Sequence, residues 1–164
     1  MWFYHSIHNG VASRPGLSRA VAASVRLLPG LVYAAYPAML LYLLLFRRAL
    51  LIRSVLVPAA GFLIATAVRA GINAPRPYEA LGIPPVTPKE TKGKSCPSRH
   101  AACAAVIAVT AVRVLPPLGA ALCAIAILIA VSRVLAGVHF VRDVVFGLLL
   151  GCLIGWIGMY AVPW

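Results

Sequence analysis

The strongest constraint on this chain is a series of apolar runs long enough to cross a membrane. A helix rises about 1.5 Å per residue, so about 20 apolar residues span the hydrocarbon core of a bilayer. Five such runs cover residues 27–46, 50–69, 98–115, 118–135 and 141–162. Because 62% of the 164 residues are hydrophobic, a disordered chain or a water-soluble enzyme is excluded. The sequence predicts an all-α integral membrane helical bundle with five transmembrane helices.

The two polar stretches are expected to lie outside the spans. Residues 1–26 include His5, His8 and several arginines, so we expect an amphipathic helix lying in the membrane interface, with a sixth transmembrane helix as the alternative. Residues 70–97 are rich in Pro, Gly, Lys and Thr and are expected to form a loop over the site. No internal repeat divides the chain, which predicts a single membrane-embedded domain over residues 1–164.

The charges are strongly unbalanced, with 15 basic residues against three acidic ones. The basic residues are not gathered into a tail. They lie at the ends of apolar runs, where they favour lipid headgroups over nucleic acid. We therefore expect the bilayer as a partner and no nucleic acid. Asp143 is the one acid at the mouth of a span.

The layout of the spans brings distant polar residues to one side of the membrane. From His100 to Ser132 is 32 residues, or about 48 Å of helix, with Pro116-Pro117 near the middle. A break there gives a hairpin that leaves and returns to the same face. The polar residues within 69–100 and 132–143 are therefore expected to face one another.

These residues have chemistry suited to an anion. Four arginines carry planar guanidiniums that match phosphate oxygens, and they are Arg69, Arg76, Arg99 and Arg133. Four such cations near one hydrocarbon boundary would repel each other without an anion between them. Ionisable residues at such a boundary are functional candidates by default. A single carboxylate gives no cluster for Mg²⁺, so neither a metal ion nor another cofactor is expected.

Spacing assigns roles to the two histidines of this region. His139 and Asp143 are four residues apart, so on the first turn of the fifth helix they would share a face. The carboxylate can then fix one imidazole nitrogen and leave the other free to attack. Ser98 is a predicted N-cap beside backbone N–H groups that favour an anion. His100, just inside that helix, could protonate a leaving oxygen.

Three groups of these residues match a known signature. They are Arg69 with Arg76-Pro77, then Pro97-Ser98-Arg99-His100, then Ser132-Arg133 with His139 and Asp143. This pattern, over about 75 residues, resembles the type 2 phosphatidic acid phosphatase superfamily. The resemblance implies a metal-independent phosphatase with a phosphohistidine intermediate.

The resemblance also implies a role for each residue. His139 would be the nucleophile, Asp143 its orienting partner and His100 the general acid. The phosphoryl oxygens would be held by Arg69, Arg76, Arg133 and Ser98. Two positions depart from the family, which usually has Lys at Arg69 and Gly at Arg99. Arg99 would hold a second phosphate or face lipid headgroups.

The expected function is hydrolysis of a lipid phosphate or diphosphate, of the polyprenyl diphosphate or phosphatidylglycerol phosphate class. The alternatives are a catalytically silent phospholipid-binding protein and an anion transporter. The compact chain resembles bacterial members, which indicates a role in the cell envelope. The active-site side carries 11 of the 15 basic residues, which favours the cytoplasm by the positive-inside rule. At least four of them serve the phosphate site, and bacterial relatives face outward, so an extracytoplasmic site is expected.

Overall fold

A computed structural model describes residues 2–89 and 91–163, with the backbone alone at residues 2 and 3, and every regular element in these ranges is a helix. The α-helices are α1 (Trp2–Ala12), α2 (Pro15–Phe46), α3 (Leu51–Ile72), α4 (Pro77–Leu81), α5 (Arg99–Val114), α6 (Pro116–Leu135) and α7 (Val141–Trp156). A 3₁₀ turn precedes α3, and a π-helical turn, Ile157–Ala161, extends α7. The all-α prediction is confirmed.

Four helical segments are long and apolar enough to cross a membrane within the described ranges. They are Pro15–Phe46, Arg48–Leu81, Pro116–Leu135 and Val141–Ala161. The helix α5 has 16 residues and packs among α3, α6 and α7, so most of its side chains are buried in protein. The count of five spans, with or without an interfacial helix, stays a prediction.

The start of the first long helix differs from the prediction. Helix α2 begins at Pro15, not at residue 27, so residues 15–26 extend it instead of lying in a separate interfacial helix. The reason is a buried stripe, Val21, Val25 and Pro29, which continues the apolar face of the helix toward its N-terminus. Arg19 and Arg26 are exposed beside this stripe and do not interrupt it. Only α1 remains a separate N-terminal helix.

The predicted hairpin is confirmed, and it places the ends of several helices at one pole. Helix α5 ends at Val114 and α6 begins at Pro116, so the chain reverses at the predicted break. The N-termini of α2, α5 and α7 and the C-termini of α3 and α6 then meet at one end of the bundle. The loop after α3 contains the short helix α4 and covers the same end.

Glycines on α7 set its distance from α5. A Cβ added at Gly147 would lie 2.6 Å from the carbonyl oxygen of Ser98, and one added at Gly151 would lie 2.2 Å from that of Ala102. Neither distance is possible for a real side chain, so only glycine permits this approach. Small residues four apart allow helix backbones to pack closely in membranes. The contact brings the N-terminus of α7 beside the N-terminus of α5.

Replacing Gly151 with valine should destabilise the bundle. The new Cβ has backbone, not a flexible side chain, in its way, so α7 must move from α5 at a cost of about 1–3 kcal/mol or more. Thermal unfolding in detergent should show a lower Tm. Gly30→Val is the matched control, because nothing lies within 4 Å of a Cβ built there. Equal Tm values for the two variants would contradict the close packing.

Candidate active site

His139 and Asp143 form a buried pair at the pole where the helix ends meet. The Nδ1 atom of His139 lies 3.7 Å from Oδ2 of Asp143, and their side chains are 2% and 0% exposed. The predicted pairing is therefore present, although His139 lies in the loop before α7 and not on its first turn as predicted. The Oδ2 atom also accepts hydrogen bonds from the Ser95 hydroxyl at 2.5 Å and from the Phe140 N–H at 3.0 Å. These contacts fix the carboxylate that faces the imidazole.

The surroundings of His139 keep its imidazole neutral. Burial lowers the pKa of His139 to about 4; the Asp143 carboxylate opposes this shift, and the guanidiniums of Arg76 and Arg69 add to it. A neutral imidazole has a lone pair on one nitrogen. Nδ1 faces Asp143 at 3.7 Å, so the tautomer with its proton on Nδ1 would leave the Nε2 lone pair free to act as a nucleophile.

Two of the predicted arginines are held in place by backbone carbonyls. The guanidinium of Arg76, 3% exposed, donates to the carbonyls of Gly93 at 3.0 Å and Val138 at 3.3 Å. Arg69, at the end of α3, donates to the carbonyl of Pro97 at 3.3 Å. Each guanidinium has five N–H donors, so both keep donors for an anion.

Arg133 is buried in the protein, and its guanidinium bonds to a backbone carbonyl that a proline leaves free. Its guanidinium donates to the Val25 carbonyl on α2 at 3.2 Å. Pro29 lacks the N–H that would otherwise bond to that carbonyl within the helix. Arg133 therefore satisfies a backbone group that the proline leaves free. Its Nε is buried with no hydrogen-bond partner among the described residues.

The N-terminus of α5 adds donors to the site. Ser98 is the N-cap residue, as predicted, and its N–H donates to the Asp143 carbonyl at 2.8 Å. Its hydroxyl is buried and has no hydrogen-bond partner within the described parts of the chain. This N-terminus therefore lies directly against the His139–Asp143 pair.

A cationic cavity of about 430 Å³ lies beside His139. Five of the predicted site residues line it, and they are Arg69, Arg76, Arg99, His100 and His139. Lys89, Lys92 and Lys94, from the loop that was expected to lie over the site, also line it. Ser98, Arg133 and Asp143 do not line the cavity and lie behind its wall. We call this cavity the basin.

A second, apolar cavity of about 400 Å³ lies between α2, α3 and α5. Its walls include Val32 and Tyr33 of α2, Phe62 of α3 and Ile107 of α5. Arg99 and His100 line this groove as well as the basin, so the two cavities meet at these side chains. The Arg99 guanidinium lies over the Phe62 ring, 5.3 Å from its centre. We call this cavity the groove.

Sequence reasoning missed the contact of Ser95 with Asp143. The two residues are 48 positions apart, and neither a motif nor a helical period links them. The sequence also gave no sign that α1 touches the site, because His5 and His8 were expected at the interface. His8 is in fact buried, at 5% exposed. These contacts arise only when the tertiary structure brings α1 and the loops to the same end of the bundle.

Comparisons with known proteins agree with this arrangement. A family profile described as the PAP2 superfamily matches residues 50–164. The chain is similar to the crystal structure of Aquifex aeolicus LpxE, with 28% identity, a TM-score of 0.75, and coverage of 95% of this chain and 92% of that one. It is also similar to a transmembrane PAP2-type phosphatidylglycerolphosphate phosphatase from Bacillus subtilis, with 25% identity, a TM-score of 0.74, and coverage of 94% and 82%. A search of curated proteins finds no match.

Lys89 should make anion binding depend on pH. Burial, with the guanidiniums of Arg76 and Arg133, lowers the pKa of Lys89 to about 8. The ammonium is charged below that pH and neutral above it. Affinity for tungstate, whose double negative charge does not change in this range, should therefore fall about five- to tenfold between about pH 7 and about pH 9.

Lys89→Arg tests the origin of this pH dependence. Its guanidinium stays charged throughout the range, so its tungstate affinity should be nearly flat with pH. Arg48→Gln, at the opposite end of α2, is the control and should behave as the wild type does. Calorimetry in detergent gives the dissociation constants. A decline of the same size in Lys89→Arg would contradict the assignment.

Proposed function

The chain belongs to the PAP2 superfamily, and we propose that it is a metal-independent phosphatase that hydrolyses a lipid phosphate or diphosphate. One observation carries this proposal: a cationic basin and an apolar groove meet at Arg99 and His100. A lipid phosphate has both an anionic head and an apolar tail, so it matches both cavities at once. Similarity to a phosphatidylglycerolphosphate phosphatase supports the same substrate class.

The proposed first step is transfer of the phosphoryl group to His139. The Nε2 lone pair attacks phosphorus, and the bond from phosphorus to the lipid oxygen breaks. A bound phosphate anion favours the imidazolium form of His100, which gives its proton to that leaving oxygen, so the lipid departs as an alcohol or a monophosphate. The positive charge that develops on the imidazole is stabilised by the Asp143 carboxylate at 3.7 Å.

The second step releases inorganic phosphate. His100, now neutral, takes a proton from a water molecule as that water attacks the phosphohistidine. The bond between phosphorus and Nε2 breaks, and the imidazole regains its neutral form. His100 is again protonated, so the cycle closes without any other reactant.

The cations of the basin supply the charge stabilisation. Arg69, Arg76 and Lys89 line the basin beside His139 and would contact the equatorial phosphoryl oxygens. Phosphoryl transfer mainly requires positioning and neutralisation of charge. Guanidiniums already oriented by carbonyls can provide this without a divalent ion. Arg133 and the Ser98 hydroxyl, which are buried next to the basin, would add two further donors to the phosphoryl oxygens.

We further propose that five helices cross the membrane, namely α2, α3, α5, α6 and α7. Helix α5, at about 24 Å, can cross because its neighbours shield it from lipid. The active-site pole then lies at one membrane surface. We place it on the extracytoplasmic face of a bacterial cell membrane, in the metabolism of envelope lipids.

His139→Ala should abolish phosphate release while the protein still folds, because it removes the nitrogen lone pair on which the proposed first step depends. The assay uses purified protein in detergent with EDTA, a lipid phosphate panel and a phosphate readout. His5→Ala is the control, since His5 is exposed on α1. Residual activity above about a tenth of the wild-type rate would contradict the nucleophile assignment. A strict need for added Mg²⁺ would contradict the metal-free mechanism.

Arg99→Gly should reduce the turnover of diphosphate lipids more than that of monophosphates. In a diphosphate, the second phosphate lies between the transferred group and the tail, which is where Arg99 joins the basin to the groove. A charge-assisted contact contributes roughly 1.5–3 kcal/mol. The ratio of the two kcat/KM values should therefore fall by at least about tenfold.

The diphosphate and the monophosphate must carry the same lipid tail, so that the contribution of tail binding in the groove cancels in the ratio. Equal loss on both substrates would instead assign Arg99 to the transferred phosphoryl group. No loss on either would leave Arg99 as a residue that faces headgroups.

A further inference from the structure

One face of α1 is buried against the loop that carries the nucleophile. Tyr4, His8 and Val11 are spaced by four and three residues, so they share one side of the helix, and all are less than 8% exposed. Val11 packs in an apolar cluster with Ala136 and Val138. This stripe faces the end of α6 and residues 136–140, the connection between α6 and α7. The N-terminal helix is thus part of the wall behind the site.

Two further contacts show how closely α1 fits this loop. A Cβ added at Gly137 would lie 3.2 Å from Cδ2 of His8, so the imidazole occupies the space beside the glycine. The ring of Tyr4 lies 5.4 Å from the ring of Phe140, centre to centre, at a tilted angle. Phe140 is the N-cap of α7 and directly follows His139.

Three backbone carbonyls of this loop accept hydrogen bonds, each from a different segment of the chain. The Ala136 carbonyl accepts from the Val86 N–H at 3.0 Å, and the Val138 carbonyl accepts from Arg76 at 3.3 Å. The carbonyl of His139 itself accepts from the Tyr4 hydroxyl at 3.2 Å. That hydroxyl also lies 3.3 Å from the Val134 carbonyl, in the last turn of α6.

We propose that Tyr4 is a positioning residue that orients the His139 imidazole for attack on phosphorus. The hydroxyl fixes the peptide that follows the His139 Cα, and that peptide determines where the side chain points. A nucleophile displaced by about 1 Å can lose about a hundredfold in rate. The inference rests on the proposed function, since it assigns Tyr4 to the chemical step of that reaction.

Tyr4→Phe is the direct test, because it keeps the ring against Phe140 and removes only the hydroxyl. We expect kcat to fall about tenfold, with KM within about twofold and the Tm unchanged. Tyr42→Phe is the matched control, since Tyr42 also contacts a phenylalanine ring, that of Phe46, at 5.3 Å, but at the far end of α2. The control should retain the wild-type kcat.

Hydrogen exchange gives a second readout that does not depend on activity. Loss of the Tyr4 hydroxyl should speed amide exchange in residues 136–140 and leave α5 and α6 unchanged. An active wild type with an equally active Tyr4→Phe variant would overturn the inference about Tyr4 and leave the proposed function standing. A wild type that releases no phosphate from any lipid would overturn the proposed function. In that case, unchanged exchange in residues 136–140 of Tyr4→Phe would overturn the structural part of the inference as well.

Discussion

The active-site pole depends on the close contact between α5 and α7. Gly147 and Gly151 let the α7 backbone approach α5 to a distance at which any side chain would collide with the carbonyls of Ser98 and Ala102. The same approach allows the Ser98 N–H to bond to the Asp143 carbonyl at 2.8 Å. A wider spacing would separate the N-terminus of α5 from the His139–Asp143 pair. The His139–Asp143 pair and the N-terminus of α5 therefore depend on one packing contact.

Cations without matching carboxylates are the second constraint on this pole. Arg76 and Arg133 are almost fully buried, and burying a charge is costly unless hydrogen bonds compensate. Backbone carbonyls provide those bonds, including the one on Val25 that Pro29 leaves free. The donors are consequently oriented before any substrate arrives. Such preorganisation is how an enzyme stabilises developing charge without reorganising during the reaction.

Two of the differences from the sequence predictions, the start of α2 and the position of His139, have the same physical origin. Residues 15–26 carry exposed arginines, and their polarity predicts a segment separate from the first span. In the structure their buried valines continue the apolar face of α2, so these residues belong to that helix. His139 lies four residues before Asp143, and helical spacing explains their proximity. In the structure, a loop closed by the N–H groups of Val138 and His139 on the Arg133 carbonyl produces that proximity instead. Local sequence patterns therefore predicted that His139 and Asp143 are close, but they did not predict the backbone conformation that brings them together.

The sequence by itself determined the all-α membrane architecture, the reversal at Pro116-Pro117 and the residues that meet at one pole. Apolar runs, prolines and charged residues at run ends are local signals, and each has one physical consequence. Tertiary structure alone decided that Ser95 bonds to Asp143, that Lys89 lines the basin and that Tyr4 holds the His139 carbonyl. It also placed Arg99 where the basin meets the groove. These contacts join segments that are far apart in the chain. Loops and helix packing bring such segments together, and neither a helical period nor a sequence motif predicts contacts of this kind.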